Sequence, residues 1–279
     1  MKRMATMILA LGLATMGNAQ ADQLADIKER GTLVCGTMGT FEPFSFSDPA
    51  TRQVVGYEVD ICRAIADELS VELELKLLAV EARIPELVQG RVDILSAALS
   101  YSETRAQQVD YSNTSFVSRV MAMVATDSAA QDLWGLDGSR ISALKGSTTE
   151  GYLPVTLPKA SLLTFQDPSS AFLALQQKKV EGIILSELPL MRLINDSDNA
   201  YRTVEPAVAI ERWGLGIRKN EPAFQEAVNA AFLKMEETGV AQSIFDKWLG
   251  ASSTYKMERH FKLTDAIGDA EIAKPGAEE

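Results

Sequence analysis

Histidine is nearly missing from this sequence: its 279 residues hold one, His260, near the C-terminal end. A lone histidine there cannot build a histidine-dependent catalytic triad or an HExxH zinc site. No glycine-rich phosphate motif occurs, so chemistry that needs a backbone phosphate cradle is also excluded. Positive charge is short as well, with 27 Lys and Arg against 38 Asp and Glu. Nucleic acids and anionic membranes both need a basic face, so neither is an expected partner. After the first residues, nothing resembles the roughly 20 apolar residues that span a ~30 Å hydrocarbon core. Only two cysteines occur, Cys35 and Cys62. In an oxidising compartment they can form one intrachain disulfide, whose loop of about 28 residues would contribute about 3 to 4 kcal/mol; the alternative is two small buried hydrophobes.

What is present begins with a secretory pattern. Lys2 and Arg3 precede the apolar run MATMILALGLATM, and Ala19-Gln20-Ala21 offers small residues for cleavage, so residues 1–21 read as a signal peptide. Without Lys2 and Arg3 the basic count falls to 25 against 38 acids, a net charge of −13. No cysteine stands near the cleavage point, which favours free diffusion in the periplasm over a lipid anchor. Hydrophobic residues at 46% and charged residues at 23% place the chain among globular proteins.

The pattern then alternates. GTLVCGT reads as a strand, YEVDICRAIADEL as a helix, VELELKLLAV as a strand, RIPELVQGR as a helix closed by Gly90, and VDILSAAL as a buried strand. A second series restarts near RVMAMVAT and runs through SRISALKG, PSSAFLALQQKKV, VEGIILS and ELPLMRLIN. YRTVEPAVAI and RWGLGIRKN give further strand signals, and a helical stretch from Pro222 to Leu249 is interrupted at Gly239. Such alternation predicts parallel α/β sheets, with ligands beyond the carboxyl ends of the strands. The polar tail after Gly250 is expected to pack on the surface or fray.

Six stretches occur in one order: GTLVCGT with FEPFSF, VVGYEVDICRAIADEL, RIPELVQGRVDIL, ALSYSETRAQQVDYSNTSF, LKGSTTEGYL and GVAQSIFDKWL. The ordered set resembles the periplasmic amino-acid-binding proteins of ABC importers. ETRAQQVDYSNTSF and the long tail look most like glutamate and aspartate binders, and the cysteine placement is similar to general amino-acid binders. The resemblance implies an α/β, two-lobed periplasmic-binding-protein fold of type II, whose two hinge strands let the lobes close over ligand. Residues 22–119 plus 211–250 would form lobe 1, residues 120–210 lobe 2, and residues 251–279 a C-terminal tail. The hinges would fall near 119–121 and 210–213. A small carboxylate ligand, an amino acid, would be delivered to an ABC transporter permease by a monomer that uses no cofactor and no metal.

A buried carboxylate needs paired charge and several donors. Arg105, five residues after Ser100, stands where the family places the arginine that forks onto the ligand's α-carboxylate. Read alone, it is an ordinary arginine of a helix capped at Ser102. Ser100 ends a strand and can face the cleft, and Ala98 would lend its carbonyl to an ammonium group. From the second lobe, Thr148 and Thr149 at a helix start would complete the carboxylate grip, a role compatible with simple capping. Lys145 reaches either the cleft or solvent. Phe41 matches the aromatic that covers the ligand side chain, Phe44 belongs to the core, and Met38, Val80 and Tyr101 would shape the same pocket. Arg83 reads as helix-start structure.

The chain departs from the family twice. Where most members hold the ligand's ammonium with an aspartate, Ser186 stands, followed by Glu187; either Glu187 takes over or the ligand lacks a free α-amino group. Met38 stands where acidic-amino-acid binders carry an arginine, which counts against a doubly charged ligand. Two rival readings follow from the fold: an enzyme similar to cyclohexadienyl dehydratase, with Glu150 as general acid, and a soluble sensor subunit.

Overall fold

The computed structural model describes residues 22–275; the expected signal peptide, 1–21, and the last residues of the expected tail lie outside the described residues. Asp22 caps α1 (Gln23–Arg30) by accepting the N–H groups of Leu24 and Ala25, and Gly31 closes it in the left-handed region. β1 (Thr32–Thr37) follows, then a small antiparallel sheet of β2 (Thr40–Phe41), β3 (Ser45–Ser47) and β4 (Val54–Val55). Gly56 turns that sheet into α2 (Tyr57–Leu69) at φ 142°, where a Cβ would lie 2.1 Å from the Phe44 carbonyl oxygen. Only glycine fits that position. β5 (Glu72–Leu77), α3 (Arg83–Val88), β6 (Ile94–Leu95) and α4 (Glu103–Ala106) complete the first series.

The long β7 (Val109–Ala125) leads to the second series: β8 (Arg140–Leu144), α5 (Thr149–Thr156), β9 (Ser161–Phe165), α6 (Pro168–Gln176), β10 (Gly182–Ser186) and α7 (Glu187–Asn195). The equally long β11 (Tyr201–Arg218) returns to α8 (Pro222–Glu237), α9 (Val240–Trp248) and β12 (Glu271–Ile272). The stretch expected to be helical from Pro222 to Leu249 is thus two helices, parted at Gly239, whose φ is 76°.

Strand order is β5-β1-β6-β11-β7-β10-β8-β9, with β12 on β11. β1 runs parallel to β5 and β6, and β8 runs parallel to β9 and β10. β7 and β11 are antiparallel partners that belong to both groups: Gly216 and Ile217 pair with β6, while Val120 to Met123 pair with β10. Two parallel α/β lobes are therefore joined through one two-stranded ribbon, crossing where Ser118 faces Glu211 and Val120 faces Ala209. The second lobe is an insertion in the first.

One feature differs from the sequence expectation. The apolar run VDILSAAL pairs regularly only at Ile94 and Leu95, because Ala98 turns into the left-handed region at φ 48° and breaks the strand. Of the two outcomes expected for the tail, it takes the first and packs onto both lobes. Arg259 forks onto Glu236 at 2.7 and 2.8 Å, Thr114 donates to the carbonyls of Asp265 and Ala266, and β12 pairs with Ala209 and Ile210. Ala273 continues onto the second lobe, donating to the Val208 carbonyl and accepting from Thr156.

The ribbon sits over an aromatic core. Phe44, Phe116 and Trp213 pack with ring centroids 4.8 to 5.3 Å apart, Phe44 edge-on to the other two, a geometry that adds to area burial. Cys35 and Cys62, both fully buried, form a disulfide that ties β1 to α2.

Candidate functional site

Between the lobes lies a cleft with about 400 Å3 of empty space, counting the part open to solvent. Its lining comes from loops after strands of both lobes and from the ribbon beneath them. Met38, Phe41, Ala98, Ser100, Arg105, Thr148, Thr149 and Ser186 all line it, as does Val80.

Arg105 is positioned by Ser102, which caps α4 by accepting the Arg105 N–H. Its guanidinium then reaches across the cleft, donating to the Ser100 carbonyl at 2.9 Å in one lobe and to the Gly146 carbonyl at 3.0 Å in the other. Five N–H groups belong to a guanidinium, so donors remain for an anion. Gly146 allows the lobes to meet there: its φ is 77°, and a Cβ would come within 2.8 Å of Glu81 Cα. Thr148 and Thr149 open α5 beside it, where the first amides of a helix lack intrahelical partners. Ser147 Oγ is buried in this lining and has no hydrogen-bond partner among the described residues.

Opposite stands an acid that the sequence reading did not single out. Glu211, on β11, is 2% exposed and lines the cleft. It accepts hydrogen bonds from Thr148 Oγ1, from Tyr152 Oη at 2.9 Å and from Trp213 Nε1 at 3.2 Å. Burial and the neighbouring Glu211 push the Tyr152 hydroxyl well above its usual range, so it stays a donor. The readable signal was strand alternation: Glu211 shares a face with Ala209 and Trp213, both buried, while Ile210 points out.

Arg83 was also undervalued as helix-start structure. It is 3% exposed, lines the cleft, and donates to the carbonyls of Val80, Ala97 and Ala98 at 2.8, 2.5 and 2.8 Å. Burial, then Arg105, pulls its guanidinium down to about 9. The Ala98 carbonyl therefore already serves an arginine. Four charges lie in or directly under the cleft: Arg83 over Glu58, and Arg105 with Glu211. The remaining walls are apolar, from Met38, Phe41, Val80, Val120, Leu144, Leu185 and Trp213.

Three expected site residues lie elsewhere. Glu187 begins α7 and pairs with Arg119 at 3.0 Å, in a second cavity behind the ribbon. Ser186 alone of that pair faces the cleft: it ends β10, and the chain turns into α7 at Glu187. Tyr101 turns away to pack on Tyr111, with ring centroids 5.3 Å apart. Lys145 is exposed on the rim. Glu150, the acid of the enzymatic rival, is exposed and accepts the Gly146 N–H at 2.7 Å outside the lining. Among the described residues no group of three or more His, Cys, Asp or Glu could hold a metal ion, and no helix is long and apolar enough to cross a membrane.

Two lobes, a two-stranded ribbon and a cleft lined from both sides define a ligand-clasping protein of the type II periplasmic-binding fold. Residues 33–251 match the bacterial extracellular solute-binding proteins, family 3, and the chain belongs to that family. It is 27% identical over 251 residues to the L-cystine-binding protein TcyJ of Escherichia coli (strain K12), covering 88% of this chain and 93% of that one. It is 27% identical over 235 residues to the ABC transporter glutamine-binding protein GlnH of Bacillus subtilis (strain 168), covering 83% and 86%. Among solved structures, the ancestral amino-acid-binding protein AncCDT-1, a precursor of cyclohexadienyl dehydratase, superposes with a TM-score of 0.74 at 26% identity, covering 81% of this chain and 99% of that one.

Proposed function

We propose that this protein captures a zwitterionic α-amino acid with an uncharged, largely apolar side chain and presents it, between closed lobes, to the permease of an ABC importer. The observation that carries this reading is a pair of opposite charges, Arg105 and Glu211, set in a cleft whose other walls are mostly apolar. Arg105, with Ser147, Thr149 and the start of α5, takes the α-carboxylate. Glu211 takes the ammonium in place of the aspartate expected at Ser186; two neutral hydroxyls and an indole N–H hold it without cancelling its charge. Because Arg83 is offset by Glu58, and Arg105 by Glu211, the cleft has no surplus charge for a second carboxylate or a cationic side chain. Met38 and Phe41 cover the side chain.

Release into the periplasm after removal of residues 1–21, and action as a monomer, complete the proposal. Binding without turnover is favoured over the dehydratase reading, since Glu150 is turned out of the cleft. A panel of amino acids and related carboxylates, titrated against refolded mature protein while melting is followed, tests the reading. Ligand at 100 times its Kd adds about 2.7 kcal/mol, or roughly 5 to 10 °C for a chain of this size. The expected result is a shift with uncharged amino acids that Arg105→Ala abolishes. A shift only with acids lacking the amine, or consumption of arogenate or prephenate, refutes it.

A further inference from the structure

Glu58 lies one layer beneath the cleft, in the first turn of α2, and is 3% exposed. Its Oε1 accepts the Ala98 N–H at 2.5 Å, while its Oε2 is buried with no hydrogen-bond partner among the described residues. Ala98 is the residue whose left-handed backbone breaks the β6 run, and its carbonyl is held by Arg83. One peptide segment is thus clamped from both ends, by an acid below and a base beside it, two residues before Ser100. The charged group facing Glu58 is Arg83 of α3; Arg105 and Glu211 act on Arg83 in turn. From the 96–98 loop, Ser96 Oγ donates to the Glu58 carbonyl. On its own helix, Tyr57 is turned to the Ser115 carbonyl and Asp60 to Lys247 and Trp248.

We infer that Glu58 is a proton-sensitive positioning residue for the ligand: ionised, it fixes the Ala98 peptide and offsets Arg83; protonated, it leaves the cleft with one surplus positive charge. The inference rests on the zwitterion reading above. With Glu58 protonated, Arg83 is left without its offset and the Ala98 N–H loses a charged acceptor, so the peptide that leads into Ser100 and the cleft is held less firmly. Burial pushes the Glu58 carboxyl up to about 7, with the Ala98 amide and Arg83 pulling it back, so the change of state falls near neutrality. Ligand prefers the ionised form, so binding lowers this pKa. Affinity is full above pH 7 and falls as pH drops through it, with protons released on binding near pH 7.

The test is calorimetric titration of the mature protein with its best amino acid between pH 5.5 and 8.5, in buffers of different ionisation enthalpy. The expected result is a Kd about tenfold higher at pH 5.5 than at 8.5, equal to one pKa unit, with proton release near pH 7 that fades by pH 8.5. Glu58→Gln should give a Kd independent of pH at the weaker level. His260→Gln, the control for the only histidine, should leave the profile unchanged. Tight binding with a flat profile and no proton release in the wild type overturns the Glu58 inference alone, whether or not Glu58→Gln folds. A profile that Glu58→Gln retains, or that His260→Gln removes, overturns it as well. Failure to bind any amino acid at any pH overturns the zwitterion reading, and the inference with it.

Discussion

Replacing Glu211 with glutamine removes one charge and almost no volume, which makes it the sharpest probe of the cleft. In the ligand-free protein the carboxylate serves three donors, Thr148 and Tyr152 on Oε1 and Trp213 on Oε2. A glutamine must set its NH2 group against either the indole N–H or the two hydroxyls. The hydroxyls can turn to accept and the indole cannot, so about one hydrogen bond weakens, at a cost of about 1 kcal/mol. The effect on ligand is larger. Truncating one partner of a desolvated charge pair costs about 2 to 5 kcal/mol, which is roughly 30- to 4,000-fold in Kd for an α-amino acid. The matching acid without its amine should bind wild type and Glu211→Gln within about threefold of each other, since it brings no ammonium. Calorimetry on both ligands, supported by the emission of Trp213 in the cleft wall, supplies the four affinities. An unchanged Kd for the amino acid refutes the pairing, and so does an equal loss for both ligands, which would make Glu211 a shaper of the wall.

Gly146→Ala should weaken ligand binding more than tenfold, because its Cβ would press on Glu81 where the lobes meet at a φ that alanine resists; the check is X-ray scattering, in which the variant fails to contract on adding ligand as the wild type does. Reducing the Cys35–Cys62 bridge should lower unfolding free energy by about 3 to 4 kcal/mol in the chain-entropy account, read as an earlier urea midpoint with dithiothreitol present. Glu58 reverses the usual carboxylate pattern. Its folded pKa, about 7, stands above the ordinary 4.5, so it favours the folded state below pH 4.5, and that advantage is lost as pH rises to 7. Urea curves should show Glu58→Gln gaining about 3 kcal/mol on the wild type over that range; parallel pH profiles for the two proteins would refute the burial argument.

Most of the architecture was legible because periodicity and order carry it. The alternating strand and helix signals and the break at Gly239 follow from local chemistry, whereas Arg105 read alone is an ordinary helix arginine and only the family resemblance pointed it at the cleft. What the chain hid was geometry made by distant residues. Glu211 alternates with Ala209 and Trp213, which gives its face, but that this face lines a cleft follows only from the pairing with Ser118 and the burial beside Trp213. Glu187 looked like the natural replacement for a missing aspartate, yet the turn from β10 into α7 sends it to Arg119 behind the ribbon. The VDILSAAL strand stopped early because Arg83 and Glu58, separated from it in sequence, grip its last peptides. Tyr101 and Lys145 were placed by proximity to motif residues, which says nothing about which way a side chain turns.

The insertion of one lobe within the other also orders the making of the molecule. β6 cannot gain its outer neighbour until the chain has produced Gly216 and Ile217, whereas β8, β9 and β10 find one another within a single contiguous stretch. Short loops close at less entropic cost than long ones. A chain emerging from its N-terminal end therefore completes the inserted lobe while the sheet begun first still has an open edge. That edge is apolar, so the interval before β11 arrives is when this protein is most exposed to pairing with the wrong strand.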